Sequence, residues 1–231
     1  MIYAIGDVHG EADALREMLA KLPLAPTDLV IFLGDLINRK GENPFDCVQQ
    51  VIDFDRCRKV CLQGNHEEAL LMFLAEGDYS IMEGMSGRST LDSYAAAGYA
   101  LTPGDPQSIP ESHARFYFQA ETWTLPFYIT DAFIFTHAGW DLSKPVEKQN
   151  PYQMRWGPVR GFDAPVMPQR VIRGHTPMPK VTHSKAKHYI GIDTGCGMGG
   201  FLSAIALPSE EVFTVKPKSY NPRWYQYTRH G

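Results

Sequence analysis

Apolar residues along this chain recur at two spacings, and the switches between them fall at glycines. Ile2 to Ile5 is an apolar run of strand length. Leu15, Met18, Leu19 and Leu22 then recur at helical spacing, which predicts an amphipathic helix from Glu11 to Leu22. Pro23 and Pro26 end it. DLVIFLGD follows, a continuous apolar run of the kind found in strands covered on both faces, and it closes at Gly34 and Asp35. A second helix is predicted over Phe45 to Phe54. KVCLQGNHEE supplies a third strand ending in Gly64, Asn65 and His66, and a helix resumes from Glu67 to Ala75. The order β-α-β-α-β-α is the sequence form of a parallel sheet covered by helices.

From about residue 77 to 125 the chain is rich in Gly, Ser and Pro, with short helical pieces such as STLDSYAAAG. Strand-like runs then return: DAFIFTHAG, QRVIRGHT, KHYIGIDTG, FLSAIAL and EVFTVK. They are short and separated by turn residues, which predicts antiparallel or mixed pairing. The expected class is α/β with mixed sheets, in one domain spanning residues 1–231. The aromatic, basic tail SYNPRWYQYTRHG reads as a surface strap.

Composition narrows the function. Of 231 residues, 44% are hydrophobic and 21% charged, the range of water-soluble globular chains. A net charge of −4 with both signs interspersed argues against nucleic acid as a partner. No apolar block is long enough for a membrane span. The start lacks a basic, cleavable leader, so a cytoplasmic location is expected. Cys47, Cys57, Cys61 and Cys196 form no CxxC pair and are expected as reduced thiols. Cys57 and Cys61 are the pair that could begin a zinc knuckle.

The polar residues carry the strongest pattern. Apolar strands end repeatedly in a metal-ligand or acid-base residue: Asp7 and His9, Asp35, Asn65 and His66, His137, and His175. In parallel α/β sheets the carboxyl ends of strands converge, so these residues are expected in one cluster. Three His, two Asp and one Asn, with no thiolate, suit Mn²⁺ first, with Fe or Zn²⁺ as alternatives. Six ligands exceed what one catalytic ion needs and suit two ions sharing a carboxylate. Such a pair lowers the pKa of a shared water and clamps an in-line displacement at phosphorus.

The ordered set GDVHG, GD, GNHE, HAG and GHT resembles the metallophosphoesterase superfamily. Within it, the set is most similar to PPP-type phosphatases of the bacterial and phage protein serine/threonine class. The resemblance implies a calcineurin-like fold, a β-sandwich core flanked by helices. It implies that Asp7 and His9 hold one metal, that Asp35 bridges, and that Asn65, His137 and His175 hold the other. His66 would be the general acid and Arg39 would bind phosphate oxygens.

Three departures bear on the chemistry. The family's GDxVDRG reads GDLINRKG here, so Asn38 stands where an Asp pairs with the catalytic His. An amide orients the ring without charge, so a lowered His66 pKa is expected unless Glu67 or Glu42 compensates. Gln63 replaces the Arg that protein phosphatases often place before GNH. Pro158 stands where another Arg is usual, flanked by Arg155 and Arg160 as candidate phosphate ligands. Bacterial relatives that hydrolyse diadenosine tetraphosphate share the first two departures, whereas the middle segment resembles the protein phosphatases. The expected substrate is a phosphoserine or phosphothreonine protein or another small phosphoester. A dinucleoside polyphosphate hydrolase and an inactive binding module are the alternatives. His113, His183, His188 and His230 are expected at the surface or in loops. Trp123, Trp140 and Trp156 are expected in the core rather than in a groove. Asp193 is expected either to orient a ligand or to close a turn, and Cys196 to be structural.

Overall fold

The computed structural model describes residues 1–118, 124–163, 165–184, 186 and 188–228. The chain begins with β1 (Ile2–Ile5), α1 (Ala12–Lys21), β2 (Leu29–Phe32), α2 (Pro44–Asp53), β3 (Arg58–Leu62) and α3 (Asn65–Glu76). The three strands are parallel neighbours in the order β1-β2-β3. The Gly-, Ser- and Pro-rich middle folds into α4 (Ser80–Gly84), α5 (Arg88–Ala96) and α6 (Glu111–Phe118). β4 (Thr124–Leu125) pairs with β3. A second sheet is built from β5 (Phe127–Ile129), β6 (Phe133–Thr136), β7 (Arg170–Arg173), β8 (Thr182–His183) and β9 (Tyr189–Gly191), with α7 (Pro151–Trp156) between β6 and β7. β10 (Leu202–Leu207) and β11 (Glu211–Val215) return to the first sheet, and α8 (Trp224–Thr228) closes the described chain. The sheet orders are β11-β10-β1-β2-β3-β4 and β5-β6-β7-β9-β8, both with mixed pairing.

The two sheets face each other across a core of Ala4, Ile31, Leu33 and Leu62 from one side and Phe135, Ile172, Ile190 and Ile192 from the other. The alternate residues Tyr3, Ile5, Val30 and Phe32 pack under α1, α2 and α3 against Leu15, Met18, Val48 and Leu70. That double coverage is why these strands read as continuous apolar runs rather than alternating ones. The outer face of the second sheet buries Ile134 and Val171 against Trp140 and Met154. Each fully buried Leu, Ile or Phe of these layers contributes roughly 1.5–3 kcal/mol.

Local chemistry moves two helix starts from their expected places. The Asn43 side chain accepts the Asp46 N–H at 3.1 Å and Pro44 takes the first helical position, so α2 starts one residue early. α3 starts at Asn65, because Gly64 is the last extended residue. Asn65 and His66 therefore lie in a first helical turn, not in a loop. His113 is a correction: it is fully buried in α6, not at the surface. Trp140 is fully buried, and Trp156 is partly buried against the helical core. The tail's Trp224 is buried over the Gly195–Gly200 turn, where an added Cβ at Gly195, Gly199 or Gly200 would meet its side chain. Trp123 and His230 lie outside the described residues. All four cysteines are free. No helix among the described residues is long and apolar enough to cross a membrane.

Candidate metal centre

The carboxyl ends of β1, β2, β6 and β7 and the start of α3 meet at one edge of the sandwich. His175 donates its backbone N–H to the Asp7 carboxylate at 3.0 and 3.2 Å, joining residues 168 apart in sequence. His9 Nε2 lies 3.9 Å from Asp7 Oδ2 and 3.7 Å from Asp35 Oδ2. The same Asp35 oxygen lies 3.8 Å from His66 Nε2 and 3.4 Å from His137 Nε2. Asn65 Oδ1 lies 2.9 Å from His137 Nε2 and 3.0 Å from His175 Nδ1. Two sets of ligand atoms, His9 with Asp35 and His66, and Asp35 with His137 and His175, each fall within 4.8 Å. Asp35 belongs to both. Among the described residues no such set contains a cysteine.

The hydrogen-bond chemistry shows what this cluster accepts. A backbone carbonyl has no proton to give. His137 Nδ1, 2.8 Å from the Leu33 carbonyl, must therefore be the donor, and in the neutral ring its Nε2 is a bare lone pair. That lone pair faces Asn65 Oδ1 and Asp35 Oδ2, both acceptors. His9 repeats the arrangement: Nδ1–H donates to the Ile37 carbonyl at 3.1 Å, and Nε2 faces Asp7 and Asp35. Burial keeps these rings neutral. The His9 pKa is pushed down to about 3 and that of His175 to about 4, in each case mainly by burial. His66 and His137 are also held well below the ordinary histidine value. Asp7 and Asp35 are pushed well above the ordinary carboxylate range by burial, with Asp193 beside Asp7 and Glu67 beside Asp35 adding repulsion. Converging lone pairs on buried, mutually repelling groups fit divalent cations, with imidazole, carboxylate and amide as ligands.

His66 has a different environment. The Thr90 hydroxyl accepts the Asn38 backbone N–H at 3.0 Å and donates to Asn38 Oδ1 at 2.5 Å. The Asn38 amide nitrogen is thereby turned to His66 Nδ1 at 3.0 Å. Nδ1 accepts, so the ring proton sits on Nε2 and faces the cluster. Neither carboxylate considered as a substitute for the usual Asp serves this ring. The Glu67 oxygens accept the N–H groups of Asp35, Leu36 and Gly64 at 2.8–2.9 Å, and Glu42 is exposed. Arg39 lies at the rim. Its charge lowers the pKa of His9 next after burial, and adds to burial and His9 at His66 and to burial and Arg173 at His175, and its Nε meets no protein acceptor among the described residues. Arg155 pairs with Glu68. Arg160 is exposed on a bridge to Asp141. The Asp193 carboxylate accepts the Gly195 N–H at 2.9 Å, which closes a turn.

The backbone at this edge is unusual. Among the described residues seven non-glycine positions have positive φ, and five are His9, Asp35, Asn38, Arg39 and His175. Such conformations cost of order 1–3 kcal/mol each and concentrate at functional sites. Close approach also explains two glycines. A Cβ at Gly64 would collide with Asp35, and one at Gly174 with Asp7. Sequence reasoning missed Thr90 and the Glu67 clamp. Glu67 had a signal, since it follows GNH directly, but its target lies 31–32 residues upstream.

A sandwich of two mixed sheets with a carboxylate–imidazole centre at its edge defines an α/β metallohydrolase. The chain belongs to the calcineurin-like phosphoesterase family, whose model matches residues 1–184, and it is a phosphoester hydrolase of the kind that uses divalent metals. It is 28% identical over 246 aligned positions to a bis(5'-nucleosyl)-tetraphosphatase PrpE [asymmetrical] of Geobacillus thermodenitrificans, covering 94% of each chain. It is 26% identical to the protein of the same name from Halalkalibacterium halodurans, over 91% of this chain and 92% of that one. A solved structure described as a putative diadenosine tetraphosphatase is similar with a TM-score of 0.66 at 20% identity, over 94% and 93% of the two chains. A cold-active protein-tyrosine phosphatase of a Shewanella species gives 0.58 at 14% identity, over 93% and 80%. At these identities the solved structures speak to fold alone.

Proposed function

We propose that this chain hydrolyses dinucleoside polyphosphates with two divalent ions, Mn²⁺ first and Fe or Zn²⁺ as alternatives. Asp7 and His9 would hold one ion, Asn65, His137 and His175 the other, and Asp35, which belongs to both sets of ligand atoms, would be shared. When bound, the ions supply a water acidified into the neutral range and positive charge for the phosphate oxygens. Arg39 adds a planar, paired donor to those oxygens. His66 presents its Nε2–H to the departing oxygen.

The observation that carries the substrate reading is the bond from Asn38 to His66 Nδ1. An amide N–H at Nδ1 opposes a second ring proton, so His66 acts as a neutral donor and a poor acid. A serine or threonine alkoxide is a very basic leaving group and needs a full proton. A phosphate leaving from an anhydride has a second pKa of about 6 and needs little more than a hydrogen bond. The names of the PrpE relatives, which align along nearly the whole chain, support the same reading. The expectation of a phosphoserine or phosphothreonine phosphatase has its support in structures alike in fold only.

Mn²⁺-loaded protein is to be offered diadenosine tetraphosphate and a phosphothreonine peptide at equal concentration. Faster release of ATP and AMP than of peptide phosphate is expected. Preferential release of phosphate from the peptide would return the protein phosphatase reading.

A further inference from the structure

A groove of about 640 Å³ is walled by α3, α4 and α7. That lies within the roughly 300–1,000 Å³ of small-molecule sites. Its walls include Glu68 and Met72 of α3, Ile81 of α4, Met85, and Tyr152 and Trp156 of α7. Three of these walls are fastened to the centre. Glu68 stands three residues along α3 from Asn65. The Met85 carbonyl accepts the Arg39 backbone N–H at 3.4 Å. α7 hangs from the loop after His137, where Ala138 N–H meets the Met154 carbonyl at 2.7 Å and Gly139 N–H the Gln153 carbonyl at 3.1 Å. One end of the groove wall, Met85, is thus hydrogen-bonded to the backbone of Arg39.

Its aromatic wall is flat. Tyr152 and Trp156 are one helical turn apart, with ring centroids 6.1 Å apart and planes within 15° of parallel. Trp156 is fixed by donating its Nε1–H to Glu68. Tyr152 is 64% exposed. An exposed ring backed by a second, anchored ring is a stacking platform, and any base offers a π-face to it. Glu68 takes one bond on each oxygen, from Arg155 and from Trp156. A carboxylate has about four acceptor positions, so acceptor capacity remains for an exocyclic amino group.

We propose that the Tyr152–Trp156 groove binds the nucleobase, an amino-bearing purine, of a dinucleoside polyphosphate whose phosphates lie against Arg39. This assignment rests on the hydrolase reading above and adds the subsite that distinguishes a nucleotide from a bare phosphate. Stacking on Tyr152 fixes the base, and the Met85–Arg39 backbone bond ties the groove wall to the residue that would meet the phosphates.

The test uses full-length, Mn²⁺-loaded protein with two readouts: KM for diadenosine tetraphosphate, and calorimetric affinity for AMP and for inorganic phosphate. Tyr152→Ala is expected to raise both the KM and the AMP dissociation constant about ten-fold relative to the phosphate constant. Tyr152→Phe is expected to keep wild-type values, because stacking needs the ring and not the hydroxyl. Phe162→Ala, an exposed aromatic outside the groove, controls for nonspecific loss. Cleavage of diadenosine tetraphosphate with Tyr152→Ala indistinguishable from wild type would overturn the subsite and leave the hydrolase reading standing. If wild type does not cleave that substrate, the dinucleoside polyphosphate reading falls, and the AMP titration still decides the groove. Binding that needs Tyr152 upholds it, and binding that ignores Tyr152, or no binding, sinks it. A phosphopeptide that needs Tyr152 where AMP does not would assign the groove to peptide and also overturn the proposal.

Discussion

Two regions of this molecule bury histidine, and only one of them gathers ligand atoms that could hold a metal ion. His113, under α2 and α5, is fully buried and its pKa is pushed down to about 4 by burial. His175 is pushed to about the same value for the same reason. The difference lies in partners. Gln49 Oε1 lies 3.1 Å from His113 Nε2 and accepts its proton, while the Tyr94 hydroxyl lies 2.7 Å from Nδ1 and supplies one. Both ring nitrogens of His113 thus meet a partner of the matching kind. At the sandwich edge, His137 and His9 spend their protons on carbonyls and turn bare nitrogens toward carboxylate and amide oxygens. A depressed histidine pKa thus reports burial first in both regions and does not tell them apart. Acceptors converging on acceptors form a ligand set that fits a cation.

The sharpest way to break this comparison is to alter both regions. Asp35→Ala should cost activity beyond the roughly 10–100-fold typical of groups that merely support ligands, and metal analysis should show lost Mn²⁺. His113→Ala should keep bound Mn²⁺ and lose about 1–3 kcal/mol of stability in urea unfolding, because the Tyr94 hydroxyl and Gln49 amide lose partners. If His113→Ala also strips metal, the two regions are not independent.

Next in size is Asn38→Asp. A carboxylate at this position accepts Nδ1–H and favours the imidazolium. His66 now sits well below the ordinary histidine value, through burial first and the neighbouring His9 second. Its pKa should therefore rise, and the pH optimum should move up by about one unit or more. Cleavage of alkyl phosphoesters should improve relative to anhydrides. An unmoved profile would show that the Asn38 contact does not control the ring.

Glu67→Gln tests whether the centre is held from beneath. Its carboxylate accepts three backbone N–H groups around Asp35. The amide should support fewer of them, lowering stability by about 1–3 kcal/mol and metal affinity by roughly 10-fold. The smallest effect is expected at Arg160, which is exposed. Arg160→Ala should leave KM within about two-fold and stability within about 0.5 kcal/mol, whereas a larger rise in KM would place it on the substrate.

Much of this was legible in the linear chain. Short apolar runs closing in Gly-Asp, Gly-Asn-His or His-Ala-Gly marked both the strands and the residues at their ends. The return of FLSAIAL and EVFTVK to the first sheet was not legible, because the same short apolar run pairs equally well with β1 or with the second sheet. The burial of His113 was not legible either, since its partners come from α2 and α5, 64 and 19 residues upstream. The amide orientation at His66 depends on Thr90, 52 residues from Asn38.

Local spacing and residue type determined the elements, the ligand types and the strand ends that carry them, because hydrophobic period and backbone preference act over a few residues. Tertiary structure alone decided which lone pairs converge, which histidines are closed by partners, and how a carboxylate three residues past Gly64 clamps the turn at Asp35. Those outcomes depend on contacts across tens to well over a hundred residues, and only the packed sheets bring them within hydrogen-bond range.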